Sequence, residues 1–303
     1  MKSHRLNQVT VRVPGSTSNC GAGFDTLGLA LSIYNNVTLA RGYWHRARAA
    51  SNGEIAGLEM ANEAAALFFL RTGVEEFGFE LGIKGDVPMS RGLGSSVTLR
   101  AGVVAGLNEL AGTGLTKEDL CSLVTQLEGH PDNATPAVIG GFCVARSDPH
   151  TGELLGVLRQ PIGRDLCFVV VSPDQELETK KARGILPKEL PYFDAIKSVN
   201  SAAYVVAAIL SGEYDRLRHA VMDFLHEPYR LPLIPGAKLT KDDLCSLVTQ
   251  LEGHPDNATP AVIGGFCVAR CDAHTGELLG VVRKPIGRDL VFVVVTPDQE
   301  LET

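Results

Sequence analysis

Nine residues, PMSRGLGSS at 88–96, carry the sharpest chemical pattern in the chain. They follow an alternating stretch and precede an apolar-periodic one, the place where a strand hands over to a helix. Unpaired N–H groups and the helix dipole favour an anion at such a junction. Gly92 and Gly94 let the backbone come close to a phosphate, and the hydroxyls of Ser95 and Ser96 can bond its oxygens or a metal ion. No Lys follows the glycines in the G-x-x-x-x-G-K-[ST] manner, so this is not a Walker loop. Read alone, it could equally be an ordinary strand–helix turn.

Two further stretches concentrate polar groups. VPGSTSNCGAGFDTLG (13–28) is glycine-rich, with Asn19 and Asp25 among small residues that allow close approach of a ligand. Its plainer reading is a loop in which Asn and Asp serve turn geometry. EGHPDN (128–133) places Glu128, His130, Asp132 and Asn133 within six residues. Glu128 suits a hard cation such as Mg²⁺, which takes one or two carboxylates plus phosphate oxygens and water. Zinc is disfavoured, because one His without a thiolate set leaves too few ligands. The plainer reading is a helix stop, with Asp132 and Asn133 capping the next turn.

In this order and spacing, the three stretches resemble the GHMP kinase superfamily. TKKARGILP (179–187) and DFLHEPYRLPLIPG (223–236) resemble its homoserine kinase branch, and the likeness runs from about Val9 to Ala237. The resemblance implies ATP-dependent phosphorylation of the L-homoserine hydroxyl on the route to threonine, with ATP and Mg²⁺ as cofactors. It implies that Pro88, Ser90, Arg91, Gly92, Leu93, Gly94, Ser95 and Ser96 wrap the ATP phosphates. Ser96 and Glu128 would hold Mg²⁺, while Asn19, Asp25, His130 and Asn133 would line the amino-acid pocket. Arg183 and Arg230 would grip the substrate carboxylate, a task suited to the forked guanidinium; otherwise each is a surface ion pair. Mevalonate kinase relatives use an Asp base with a Lys, but the comparable places here offer Asn133 and no Lys. Catalysis without a dedicated strong base is therefore expected, with Asp25 the nearest acceptor for the hydroxyl proton.

The elements that must position these residues can be read coarsely. VTVRV (9–13), NVTLA (36–40) and FELGI (79–83) alternate as strands do, and GGFCVAR and LCFVVVSPD also read as strands. MANEAAALFFLRTG predicts a helix stopped by Gly73, and a second is predicted from about Ser96 to Leu110. Thr116 and Asp119 make a capping-box pattern ahead of Leu120, Leu123, Val124 and Leu127, so the helix they begin ends with Glu128 before Gly129 and Pro131. Residues 194–211 and 213–226 read as two more helices. Strands and helices mix without a regular βαβ beat, which predicts an α+β, two-domain GHMP kinase-like fold with an incomplete second domain.

Residues 240–303 repeat 116–179 without a gap, with 57 of 64 positions identical. Solenoid repeats are shorter, more numerous and more divergent, so this looks like a recent duplication or a join of related genes. The expected organisation is an ATP-binding domain at 1–160, a partial second domain at 161–239, and the repeat at 240–303. The resemblance implies a third motif, G-x-G-P-[ST], near the C-terminus. No such motif occurs, and after Ala237 the chain restarts its own middle. Helix 116–128 and its copy at 240–252 would compete for one niche. The first copy is expected to keep it, leaving the second to pack loosely or to template a swapped homodimer.

Composition limits the alternatives. A net charge of −7 and the absence of any Lys/Arg block argue against nucleic acid. No apolar leader opens the chain, and uninterrupted apolar runs such as AAALFFL are too short for a bilayer. Seven cysteines, none in a C-x-x-C pair and several with apolar neighbours, suggest free thiols in a reducing, cytoplasmic protein. Two other functions stay open: another small-alcohol GHMP kinase, and a nucleotide-binding remnant without turnover.

Overall fold

The structure, a computed structural model, describes residues 6–148, 150–162, 179–220, 222–233, 266–271 and 278–284. The chain divides into two compact units, Met1–Ile234 and Pro235–Thr303.

The first unit is built on a mixed sheet. Its strands are β1 (Gln8–Ser18), β2 (Leu27–Gly42), β3 (Ala47–Ala49), β4 (Gly78–Gly85), β5 (Phe142–Ser147) and β6 (Leu154–Gln160). They run in the order β3-β4-β2-β5-β6, with β1 also paired to β2. All pairings are antiparallel except β3 with β4. The helices are α1 (Leu58–Thr72), α2 (Ser95–Ala111), α3 (Lys117–Glu128), α4 (Pro131–Ile139), α5 (Thr179–Gly184), α6 (Tyr192–Ser211) and α7 (Glu227–Arg230). Mostly antiparallel strands interrupted by helices without a regular βαβ beat make this the α+β arrangement that the irregular alternation predicts.

The main core lies between the sheet and α1–α4. Val37, Leu39, Phe79 and Leu81 meet Phe68, Val103, Val104, Leu107, Leu123 and Val124, all buried. Two glycines bring α2 onto β2: a Cβ at Gly102 would lie 2.5 Å from Val37 Cβ, and one at Gly106 would lie 2.6 Å from Leu39 Cδ1. A smaller cluster joins Leu27, Leu29 and Phe142 to Val205 and Ile209 of α6. Among the described residues α6 is the one helix with the length and apolar composition of a membrane span. Its burial of Ser198, Ser201, Val205, Ala208 and Ile209 gives it a packing role within the first unit.

The helix signals hold locally. Gly73 and Gly129 end α1 and α3 in the left-handed conformation, and Thr116 with Asp119 forms the reciprocal capping box of α3. The strands β1 and β2 run beyond their predicted ends, so half of the first glycine-rich stretch is strand and the loop begins at Asn19.

Residues 213–226 do not form the second α-helix expected there. A 3-10 turn spans Tyr214–His219, and then the Asp223 carboxylate accepts the N–H groups of Leu225, His226 and Glu227. A side chain that takes three successive backbone donors offers the chain an alternative to the helix ladder. The predicted strand at 166–174 and the helix at 240–252 lie outside the described residues.

In the second unit, β7 (Phe266–Cys271) pairs antiparallel with β8 (Leu278–Lys284). Its register reproduces that of β5 with β6: Phe142 faces Gln160 and Phe266 faces Lys284, with an irregularity at Arg146/Ser147 and again at Arg270/Cys271.

Candidate active site

The first unit holds a cavity of about 1130 Å³ lined by residues from all three polar stretches and from α5 and α7. At one end, Gly94 is the N-cap of α2 with φ 73°, a conformation in which no side chain caps the helix. The first N–H groups of α2 therefore face the cavity without a protein partner of that kind, as an anion site requires. Gly92, with φ 72°, has open space where a Cβ would stand, whereas a Cβ at Gly94 would lie 2.5 Å from Ser16 Oγ. Ser90, Arg91, Gly92, Gly94, Ser95 and Ser96 line the cavity. Pro88 and Leu93 do not: Leu93 is buried and its carbonyl accepts the N–H of Ser16 (3.1 Å).

Ser16 is the joint of the site, and sequence reasoning passed over it. It is fully buried, and while its N–H holds the glycine loop its hydroxyl donates to Asn133 Oδ1 (2.9 Å). Asn133 itself lines the cavity, with its Oδ1 held by Ser16. A small hydroxyl inside a glycine-rich strand carries no distinguishing signal before its neighbours in space are known.

Glu128 lines the cavity at the end of α3 and is held by Arg100, whose Nη1 donates to Oε1 (2.8 Å) while Nη2 reaches Glu63 (2.9 Å). Burial alone would lower the Arg100 pKa, but bonds to Glu128 and Glu63 hold it above its ordinary value.

His130 and Asp132 form a close ion pair from His130 Nδ1 to Asp132 Oδ1, inside the wall where α4 begins. Asp132 does not act as a surface cap: it is 1% exposed, and its Oδ1 also accepts the N–H of Asn133 (3.0 Å). Burial would lower the His130 pKa, but the bond to Asp132 and its charge raise it above 6.5. Because the folded-state pKa exceeds the unfolded one, the stabilisation is fully present below about pH 6.5 and is lost as pH rises through the folded value. An NMR titration should find the His130 ring titrating above free histidine, and Asp132→Asn should bring it down.

Asn19 lines the cavity, yet its side chain also closes its own loop, with Oδ1 accepting the N–H of Asp25 (3.1 Å). Asn19, Cys20 and Asp25 all have positive φ, a concentration of backbone strain typical of ligand-holding loops. Asp25 stands just behind the lining. Both its oxygens accept from Arg183: Oδ2 from Nη1 at 3.0 Å and Oδ1 from Nη2 at 2.5 Å. Arg230 differs. Its Nε donates to the Ala182 carbonyl (3.2 Å), and among the described residues no carboxylate pairs with it. Burial and the neighbouring Arg183 charge both lower its pKa.

Asp25, His130 and Asp132 present ligand-capable atoms within 4.8 Å of one another. Arg183 donates to both oxygens of Asp25 and His130 pairs with Asp132, so each of these ligand-capable groups already has a protein partner.

Residues 59–141 match the GHMP kinases N terminal domain. Over 238 residues the chain is 38% identical to the homoserine kinase of Clostridium beijerinckii, covering 75% of this chain and 76% of that protein. The chain belongs to the homoserine kinase family. It is also 39% identical, over 75% of this chain and 74% of the relative, to the homoserine kinase of Symbiobacterium thermophilum. The crystal structure of homoserine kinase from Cytophaga hutchinsonii superposes with a TM-score of 0.67 at 26% identity, covering 83% of this chain and 81% of that one. A Streptococcus pneumoniae phosphomevalonate kinase shares the fold at a TM-score of 0.55 and 13% identity, covering 90% of each chain.

The homoserine kinase fold also brings in an apolar wall that no motif announced. Gly57, Ile83 and Leu99 converge, since a Cβ on Gly57 would meet Leu99 Cδ2 at 3.0 Å and Ile83 Cδ1 at 3.7 Å. These three, with Met60 and Val87, line the same cavity. Only a helix start, a strand and the phosphate-loop helix packed together make that surface, which is why linear spacing did not reveal it.

Proposed function

We propose that this chain transfers the γ-phosphoryl group of ATP to the side-chain hydroxyl of L-homoserine, giving O-phospho-L-homoserine on the route to threonine. The observation that carries the reading is the pair Arg183 and Arg230, one guanidinium without an acid partner among the described residues, in the same cavity as the uncapped start of α2. A phosphate-seeking group and a carboxylate-seeking pair in one cavity suit a nucleotide and an amino acid together.

The α2 N-terminus with Gly92–Ser96 receives the triphosphate, and the wall of Met60, Ile83 and Leu99 takes the base. Ser96 and Glu128 both line the cavity and offer a hydroxyl and a carboxylate, hard oxygen donors that fit Mg²⁺. Mg²⁺, when bound, supplies neutralisation of the phosphate charge. Arg100 fixes the orientation of the Glu128 carboxylate for that task.

Homoserine brings an ammonium and a carboxylate, the same two charges that Asp25 and Arg183 now satisfy in each other. On binding, Asp25 takes the ammonium while Arg183 and Arg230 take the carboxylate, with Asn19 and His130 in the surrounding wall. The Asn133 Nδ2 donor holds the reacting hydroxyl or a γ-phosphate oxygen. Asn133 can accept no proton there, and Asp25 is engaged by the substrate ammonium, so rate comes from alignment and charge stabilisation rather than a strong base. Asp25→Asn should accordingly raise the KM for homoserine at least tenfold while kcat falls less than tenfold. Loss of kcat alone, by a hundredfold or more, would instead make Asp25 the proton acceptor.

The division into an ATP-binding part (1–160), a second part (161–239) and the repeat belongs to the same proposal. So does a reducing, cytoplasmic setting, which the free thiols of Cys20, Cys121 and Cys143 support. The deciding test is ATP consumption with and without homoserine, with mevalonate and shikimate as competing alcohols, beside a thermal shift with Mg-ATP. Homoserine-dependent consumption is expected. A shift without turnover identifies a nucleotide-binding remnant, and turnover with another alcohol reassigns the acceptor.

A further inference from the structure

Phe24 is absorbed by none of the roles above, yet three side chains converge on its ring. Arg183 Cζ lies 5.2 Å from the ring centroid and Arg230 Cζ lies 5.1 Å from it. His226 stacks on the same ring, with centroids 5.1 Å apart and planes 30° from parallel.

Guanidiniums at this distance are attracted by the aromatic quadrupole, and the attraction strengthens where water is partly excluded. Two like charges side by side repel, and the Arg183 charge does bear on Arg230. A ring within reach of both guanidiniums offsets part of that repulsion before any ligand arrives.

The ring is itself fixed from both sides. It belongs to the strained 19–25 loop, where Gly23 N–H donates to Asn19 O (2.9 Å). Opposite, His226 is 6% exposed and its Nε2 lies 2.9 Å from the Gly21 carbonyl, so the ring of His226 bridges that loop to the start of α7. Asp223 completes the brace: its buried carboxylate accepts the N–H groups of His226 (2.9 Å) and Glu227 (2.7 Å), the turn from which Arg230 projects.

We propose that Phe24 is a positioning residue. Its ring, braced by His226 and Asp223, sets the spacing of Arg183 and Arg230 so that the pair forms one receptor for the carboxylate of an amino acid. This rests on the reading of the two arginines as the carboxylate site. Phe24 acts through the two arginines that it contacts. The effect therefore belongs in amino-acid affinity and not in the chemical step.

The test uses the full chain and three variants: Phe24→Leu, which keeps bulk but loses the quadrupole; Phe24→Tyr, which keeps the quadrupole; and His226→Gln, which loses the stacked ring but keeps a donor toward Gly21. Homoserine binding is measured by calorimetry without nucleotide, and KM and kcat by ATP consumption. Phe24→Leu should weaken homoserine binding and raise its KM about tenfold, the order expected for two cation–π contacts. Its kcat and its thermal shift with Mg-ATP should stay within about threefold and one degree of the parent, values set by that tenfold scale. Phe24→Tyr should restore binding to within about twofold, and His226→Gln should fall between the two.

If the parent binds homoserine and Phe24→Leu binds it equally well, the platform is overturned. A kcat loss without a KM change, or failure of Phe24→Tyr to rescue, also overturns it. If the parent itself binds no homoserine, the substrate reading fails, and the platform falls with it.

Discussion

Gly28→Ala is expected to lower stability by about 3 kcal/mol and to remove most turnover, although it adds a single methyl. A Cβ at Gly28 would stand 1.7 Å from the Asp132 carbonyl oxygen and 2.9 Å from Pro136 Cγ. The first of these is helix backbone, which cannot swing aside as a side-chain tip could. The pleat that sends Leu27 and Leu29 toward α6 sends Gly28 toward α4. The methyl must therefore lift the start of α4 from β2. That movement carries His130, Asp132 and Asn133 away from Ser16 and the cavity. A shift of about 1 Å at reacting groups can cost about a hundredfold in rate. Gly156→Ala is the control, because nothing lies within 4 Å of its added carbon. Thermal unfolding and homoserine-dependent ATP consumption measure both effects. An unchanged melting temperature for Gly28→Ala would show that α4 does not sit against β2 as described.

Glu128→Gln should reduce kcat about a hundredfold or more and raise the Mg²⁺ concentration needed for half activity. The substitution keeps shape and removes charge. It exchanges one carboxylate oxygen for an amide nitrogen, leaves a neutral and weaker ligand for a cation, and leaves Arg100 with Glu63 as its remaining carboxylate. Among the described residues the buried Arg100 Nε has no partner, so this side chain has little freedom to adapt. The duplicated line supplies an internal control, because Glu252 stands in the same heptapeptide as Glu128. Glu252→Gln should change kcat less than about twofold, because the second copy follows no phosphate loop of its own in the chain. The first copy follows PMSRGLGSS in the chain and shares its cavity; the second follows no phosphate loop of its own. Equal losses from the two substitutions would make the second copy part of the working site.

Much of the local structure around the candidate site was legible because its parts are local. Glycines at 92 and 94 before Ser95 and Ser96 announce a helix start, and Thr116 with Asp119 announces the helix that ends at Glu128. These signals work because capping and left-handed turns are decided within a few residues. Three features were not legible, each for a stated reason. The helix expected over 213–226 failed because Asp223 draws three backbone donors to itself. Ser16 looked like one small residue among many until its N–H and hydroxyl were seen to tie two distant segments together. Phe24 read as part of a glycine-rich loop, since the cations and the imidazole around it come from residues 183, 226 and 230.

The repeat separates what sequence decides from what tertiary structure decides. FCVARS with LLGVLRQ, and FCVARC with LLGVVRK, fold into hairpins of the same register, down to the same irregularity. Alternation and turn length are properties of the strand pair itself, so nearly identical letters yield the same hairpin twice. Among the described residues the first hairpin is extended by a long-range partner, β2, with Leu27 facing Val144 and Leu29 facing Phe142, and the second is two-stranded. The letters LEGHPDN by themselves specify a helix end and a set of polar groups. Their use in the first copy depends on Arg100, Ser16 and the glycine loop, contacts between distant segments that no local pattern encodes.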